Sequence, residues 1–81
     1  MEHCHPVQIQ RELGLRVSRR RTAVINTIIG SDQPLSAADV HNLIRADLPV
    51  DPATVYRILG DLASRGVFRV IQDGRGVHCY E

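Results

Sequence analysis

The stretch from residue 51 to residue 66 constrains the fold more than any other part of this chain. Asp51 is a favourable N-cap residue and Pro52 suits the first position of a helix, whereas Gly66 is suited to end one. Between these residues the apolar side chains recur at helical spacing, at Val55, Ile58, Leu59 and Leu62. The pattern predicts a helix that runs to about Arg65 and packs one face into a core.

Up to three shorter helices are predicted before residue 50. Residues 7–13 allow one that Gly14 ends, and Ser18 can cap the next. Ser36 with Asp39 three residues later resembles a capping box and opens a further helix. The predicted inward face of that helix consists of Ala37, Val40, Leu43 and Ile44.

The end of the chain is predicted to form a β-hairpin. Residues 67–72 and 77–81 are strand-like, and the turn sequence Asp73-Gly74-Arg75-Gly76 joins them. Helices followed by one hairpin are typical of a winged helix-turn-helix. We therefore predict a mainly α fold with a small β-hairpin, in which three to four helices and a two- or three-stranded wing form one domain over residues 1–81.

Length and composition narrow the class of protein. The chain has 81 residues, of which 43% are hydrophobic, and this is enough for one small globular domain. The sequence shows no run long enough to span a bilayer, no signal peptide, and no nucleophile–base arrangement or phosphate-binding glycine loop. We expect a cytoplasmic protein that has no membrane partner and is not an enzyme.

The positive charge is concentrated near the N-terminus. All ten basic residues are arginines, and five of them lie between Arg11 and Arg21. Arginine can form a bidentate fork with phosphate oxygens, so this block suits a nucleic-acid backbone. A solvated charged surface explains a run of charges equally well.

The outer face of the predicted helix at residues 51–65 suits contact with DNA. Ala53, Tyr56, Arg57 and Gly60 share this face, and Ala53 and Gly60 are small enough to let the backbone approach a surface. Tyr56 and Arg57 can reach bases or phosphates, and Thr54 adds a hydroxyl near the helix N-terminus. The alternative is that Tyr56 packs back on the domain and Arg57 is merely solvated.

Other arginines are candidates for backbone contacts. Arg16 lies in a connecting segment from which it can reach a minor groove, and Arg19, Arg20 and Arg21 follow on the first turn of a helix. Arg75 lies in the turn of the wing, where an arginine is often just solvated.

Both cysteines of the chain and three of its four histidines lie near its ends. His3, Cys4 and His5 precede the first helix, and His78 and Cys79 fall in the last strand. Zinc favours such ligands, but adjacent strand residues point to opposite faces and do not easily share one ion. A small metal-binding or redox protein stays open as an alternative. We expect His41 to be an ordinary exposed histidine.

These motifs together resemble the ferric uptake regulator family, from about Gly14 onward. The resemblance rests on Arg16-Val17-Ser18…Arg21, Leu35-Ser36-Ala37-Ala38-Asp39-Val40, Ala53-Thr54-Val55-Tyr56-Arg57-Ile58-Leu59, Leu62…Gly66-Val67 and Gly76…Tyr80-Glu81. It implies that the helix with Thr54, Tyr56 and Arg57 is the recognition helix in the major groove and that Arg16 enters the minor groove. Arg21 matches an arginine that recurs in the family after a helix cap, which is Ser18 in this chain.

The resemblance also implies a metal-responsive repressor of metal-uptake or metal-homeostasis genes, with a double-stranded DNA operator as partner. Members are dimers, and zinc or iron(II) binds the full-length protein between its two domains. Here the chain stops at Glu81 and has no CxxC, so we expect the C-terminal dimerisation and metal domain to be absent. Pro34 stands where iron-type members often place a histidine ligand, whereas Glu81 and Cys79 match or lie near metal-ligand positions. The alternative function is a winged-helix protein–protein interaction module without DNA binding.

Overall fold

A computed structural model describes residues 5–81. The elements in chain order are α1 (Pro6–Glu12), α2 (Arg19–Ile29), β1 (Leu35–Ser36), α3 (Ala37–Ile44), α4 (Pro52–Ser64), β2 (Val70–Gln72) and β3 (His78–Tyr80). The strands form an antiparallel sheet in the order β1–β3–β2. The helices together with this small sheet, whose β2 and β3 form the terminal hairpin, confirm the predicted winged helix-turn-helix.

Side chains cap the starts of three helices as the sequence predicts. Ser18 Oγ accepts a hydrogen bond from the backbone N–H of Arg21 at 3.2 Å, at the start of α2. At the start of α3, Ser36 and Asp39 form a complete capping box with two bonds of 3.1 Å. Asp51 caps α4 by accepting from the N–H of Thr54 at 3.0 Å. These caps satisfy backbone donors that have no partner within the helix.

Gly66 ends α4 in the left-handed conformation, with φ of 83°. The N–H of Gly66 donates to the carbonyl of Ala63, and the N–H of Val67 donates to that of Leu62. This pair of bonds is the Schellman motif, which favours glycine because a Cβ is disfavoured at positive φ. The turn directs the chain from α4 into the wing.

The third strand, β1, is the part of the sheet that lies outside the hairpin. Leu35 pairs with Tyr80 and Ser36 with Cys79, while β2 pairs with the other edge of β3. The strands of the hairpin are shorter than the predicted segments 67–72 and 77–81, although Arg69 and Glu81 still exchange backbone hydrogen bonds beyond them. The start of α3 is thus fastened to the wing.

The core lies between α2, α3 and α4, with the inner edge of the sheet closing it. It consists of Val24, Ile25, Ile28, Val40, Ile44, Val55, Leu59, Leu62, Phe68 and Tyr80. The prediction for Leu43 was wrong, because its side chain is 59% exposed. Val40 and Ile44 lie one turn apart and occupy the inward stripe, which leaves Leu43 on the flank of α3. No helix within residues 5–81 has the length and apolar character needed to cross a membrane.

Candidate nucleic-acid interface

The helix α4 divides into a buried stripe and an exposed stripe, as predicted. Val55 and Leu59 are fully buried, whereas Tyr56 is 58% exposed. Arg57 is also exposed, as are the small residues on the same face, Ala53 and Gly60. Tyr56 therefore does not pack back into the core, and the outer face offers two long side chains flanked by two small ones.

Tyr56 lies where α4, the start of α3 and the wing come together. One cleft beside its ring is lined by Ala37 and Ala38 of α3, and another is lined by the wing residues Val77 and His78. A broader cleft between α4 and the wing runs from Arg57 past Gly60 to Val70 and Tyr80. The outer face of α4 is thus the centre of a surface with α3 on one side and the wing on the other.

The two carboxylates next to this face are engaged within the domain. Asp51 accepts the capping hydrogen bond from Thr54, and the hydrogen bonds from Thr54 hold the pKa of Asp51 below its ordinary value. Both oxygens of Asp61 accept from Nε of Arg65 at 3.1 Å. Arg57 donates to the hydroxyl of Thr54 at 3.3 Å and keeps an exposed guanidinium. Asp61 is therefore paired with Arg65, whereas Asp51 keeps its charge and the positive charge of Arg57 also contributes to lowering its pKa.

The predicted backbone-contact residues lie in three places. Arg16 and Arg19 are exposed around the turn that leads into α2. Arg20 is exposed too, and its Nε donates to the carbonyl of Pro49 at 3.3 Å, which places it beside the segment that enters α4. Arg75 lies in the wing turn, where its guanidinium pairs with Asp73 at 3.1 Å. Among the predicted backbone contacts, Arg75 is accordingly one whose charge is offset by a carboxylate within the described residues.

Arg21 differs from its neighbours because it points inward. It is half-buried, and Nη1 donates to the carbonyl of Arg16 at 2.7 Å and to Oε1 of Gln10 at 3.4 Å. Gln10 is fully buried and was not singled out from the sequence. A signal was present, since Gln10 shares a helical stripe with Ile9 and Leu13, which both pack against the core.

His41 is not the ordinary exposed histidine that we expected. It is half-buried, and Nε2 lies 3.0 Å from the carbonyl oxygen of Val50. This bond joins α3 to the segment that leads into α4. His41 therefore helps to set the position of α4 against α3.

The candidate metal ligands do not form a site by themselves. Cys79 is a buried free thiol, and its neighbour His78 is exposed and bonded to Gln72. The carboxylate of Glu81 pairs with Arg69. No group of three His, Cys, Asp or Glu side chains among residues 5–81 could hold a metal ion. His3 and Cys4 lie outside the described residues, and His5 is exposed.

Comparisons of the sequence and of the structure with known proteins both find ferric uptake regulators. The sequence model of the ferric uptake regulator family matches residues 12–81. The structure of the ferric uptake regulator from Pseudomonas aeruginosa with manganese is 26% identical, with a TM-score of 0.85, and the match covers 96% of this chain and 60% of that one. For the Helicobacter pylori ferric uptake regulator, described as having three functional metal binding sites, the identity is 27% and the TM-score 0.77, over 91% of this chain and 50% of that one.

A third match extends the comparison to a regulator of another kind. PerR from Streptococcus pyogenes, described in terms of peroxide sensing and gene regulation, is 26% identical with a TM-score of 0.78, over 90% of this chain and 50% of that one. No curated protein sequence matches the chain. The chain thus spans about half the length of the solved structures that it matches.

Proposed function

The chain belongs to the ferric uptake regulator family, and from that premise we propose that it is the sequence-specific DNA-binding domain of a metal-responsive transcriptional repressor. Members of this family are regulators of transcription and not enzymes. The observation that carries the proposal is the exposed face of α4, on which Tyr56 and Arg57 project between Ala53 and Gly60.

This face has the properties that base recognition requires. A major groove is wide enough for one α-helix, and small residues beside the reaching side chains let the helix lie deep in it. Arg57 offers a fork for guanine or for phosphate, and Tyr56 offers a ring for a thymine methyl and a hydroxyl for phosphate. Thr54 is half-buried and its backbone N–H is engaged by Asp51, so its hydroxyl, which accepts from Arg57, is the group it offers near the helix N-terminus.

The arginines outside α4 are proposed to hold the domain in register on the duplex. Arg19 and Arg20 lie on the exposed first turn of α2 and are proposed to contact phosphates, whereas Arg16, just before that turn, is proposed to reach into the minor groove. Contacts to phosphates fix position without reading sequence, and they make binding depend on salt. Arg75 is proposed as a weaker contact, because Asp73 already offsets its charge.

The metal response is proposed for the full-length protein. Glu81 and Cys79 are candidates to complete a zinc or iron(II) site with ligands from outside this chain, since the described residues do not supply a full set. Self-association is likewise proposed to use a C-terminal domain, and the target genes are proposed to serve metal uptake or homeostasis. A cytoplasmic location follows from this role.

The proposal is tested by selecting duplexes from a randomised pool and measuring their affinity by fluorescence anisotropy. Tyr56→Ala and Arg57→Ala should each weaken binding to the selected duplex by about 1–3 kcal/mol, with little change in Tm. Arg45→Ala is the matched control for loss of one arginine, because Arg45 lies at the opposite end of α3 from Tyr56. Arg19→Ala should weaken selected and random duplexes alike and make the salt dependence shallower.

Two results would contradict the proposal. Wild-type affinity in both Tyr56→Ala and Arg57→Ala would remove α4 as the recognition element. No binding to any duplex at low ionic strength would favour the alternative, a winged-helix module for protein–protein contact.

A further inference from the structure

A buried polar network joins α1 to α2 beneath the connecting segment that carries Arg16. Its centre is the fully buried side chain of Gln10. The amide nitrogen donates to the carbonyl of Pro6 at 3.1 Å and to the hydroxyl of Thr22 at 2.7 Å. The amide oxygen accepts from the N–H of Ser18 at 3.0 Å and from Arg21 at 3.4 Å. Both donors and both acceptor positions of the amide are therefore in use.

The backbone on both sides of Arg16 is fastened to this network. Gly14 ends α1 with φ of 74°, and the N–H of Leu15 donates to the backbone carbonyl of Gln10 at 2.9 Å. The carbonyl of Arg16 accepts from Arg21 Nη1 at 2.7 Å. The N–H of Ser18 is held by the Gln10 side chain, as described above. Three successive anchors thus hold the segment from residue 15 to residue 18.

The anchors leave the side chains of the segment at the surface. Arg16 is exposed and Val17 is 40% exposed, although the backbone on either side of them, at residues 15 and 18, is bonded to the fully buried Gln10. A rigid backbone that presents an exposed guanidinium loses less conformational entropy on binding than a mobile loop does. Hydrogen bonds from residues behind it can hold a contact residue in the position that binding requires, and this arrangement provides such bonds.

We infer that Gln10 and Arg21 are positioning residues that preset Arg16 for insertion into a DNA minor groove. The inference rests on the proposed function, since it assumes that the domain binds duplex DNA. It also gives Arg21 a role different from that of Arg19 and Arg20, because its guanidinium holds the carbonyl of Arg16 from within the domain.

The test compares two duplexes that differ only in the minor groove. Inosine–cytosine and guanine–cytosine pairs present the same atoms in the major groove, but inosine lacks the 2-amino group that obstructs the minor groove. The wild-type chain should bind an alternating inosine–cytosine duplex more tightly than the guanine–cytosine duplex, by about three-fold or more. The ratio of the two affinities, that for the inosine–cytosine duplex divided by that for the guanine–cytosine duplex, is the quantity compared among the variants. Arg16→Ala should bring this ratio close to one.

The positioning role predicts how further variants behave. Gln10→Met keeps the size of the side chain and removes its four hydrogen bonds, and Arg21→Met removes the anchor of the Arg16 carbonyl. Each should reduce the ratio by at least about half, and adding Gln10→Met to Arg16→Ala should reduce it no further. Leu13→Ala is the matched control: it loosens the packing of α1 on the core without touching the network, so the ratio should stay at the wild-type value.

The possible outcomes separate the inference from the proposed function. A wild-type ratio in folded Arg21→Met or Gln10→Met overturns the positioning role, and Arg21→Met provides the test if Gln10→Met does not fold. A ratio equally reduced in Leu13→Ala also overturns it, because the effect would then follow from lost stability. Equal wild-type binding to both duplexes removes the minor-groove role and leaves the proposed function standing, whereas no binding to either removes both.

Discussion

Gly60→Ala should stabilise the domain and weaken its binding to DNA. Gly60 lies inside α4 with its backbone in the helical region, and an added Cβ would meet no atom within 4 Å. The substitution therefore causes no clash, and it lowers the conformational entropy of the unfolded chain. Alanine is favoured over glycine in a helix interior by about 1 kcal/mol. For a domain of this size that corresponds to a rise in Tm of roughly 4–8 °C.

Gly66→Ala is the matched control for this prediction. A Cβ at Gly66 would also meet no atom within 4 Å, but the φ of 83° lies in the left-handed region. Alanine at such a φ costs about 1–2 kcal/mol, which exceeds the entropic gain. The two substitutions add the same methyl group in open space. Opposite changes in Tm would therefore be due to the backbone conformation at the two positions.

Thermal unfolding followed by circular dichroism measures the change in Tm of Gly60→Ala. Fluorescence anisotropy with a selected duplex measures the change in its affinity for DNA. A Tm that is unchanged or lowered in Gly60→Ala would refute the conformational reasoning. A Gly60→Ala variant that is more stable but binds DNA as tightly as the wild type would place Gly60 outside the contact. Only a close approach of the α4 backbone to DNA makes the added methyl group unfavourable for binding.

Two further predictions concern stability. In Asp51→Asn, Tm should fall less than in the wild type as the pH drops below about 4. The hydrogen bonds from Thr54 lower the pKa of Asp51, so its carboxylate stabilises the fold above its ordinary pKa and loses this effect as the pH falls through the lowered value. Identical pH profiles in thermal melts would contradict the cap. Leu59→Ala should destabilise the domain by about 2–5 kcal/mol in urea unfolding, since Leu59 is fully buried, and a loss below about 1 kcal/mol would contradict its place in the core.

The sequence predicted best what depends on neighbouring residues. Ser18, Ser36 and Asp51 cap helices because a short polar side chain reaches a backbone donor three residues away, whatever the rest of the fold does. The two stripes of α4 follow from helical periodicity alone, so Tyr56 was expected on the outside and Val55 on the inside. The candidate recognition face was therefore readable before the structure was known.

Features that depend on distant partners were not predictable in the same way. The strand β1 is only two residues long and exists because it pairs with β3, so no local periodicity marks it. The inward direction of Arg21 depends on Gln10, which lies eleven positions earlier on another helix. His41 is half-buried because the segment before α4 returns past it and offers the Val50 carbonyl. In each case a contact between residues distant in the sequence determines the local arrangement.

The acidic residues of the wing and of α4 show why a net charge of +1 is a poor guide to the partner of this domain. Asp51 is engaged as a cap, Asp61 by Arg65, and Asp73 by backbone donors of the wing turn together with Arg75. A carboxylate paired with an arginine, as Asp61 and Asp73 are, repels a phosphate less than an unpaired one does. On the proposed function, the exposed guanidinium of Arg57 meets a phosphate with Asp61 and Asp73 each already paired with an arginine of the domain. For that reason the local arrangement of charge, and not its sum, makes a nearly neutral chain suited to DNA.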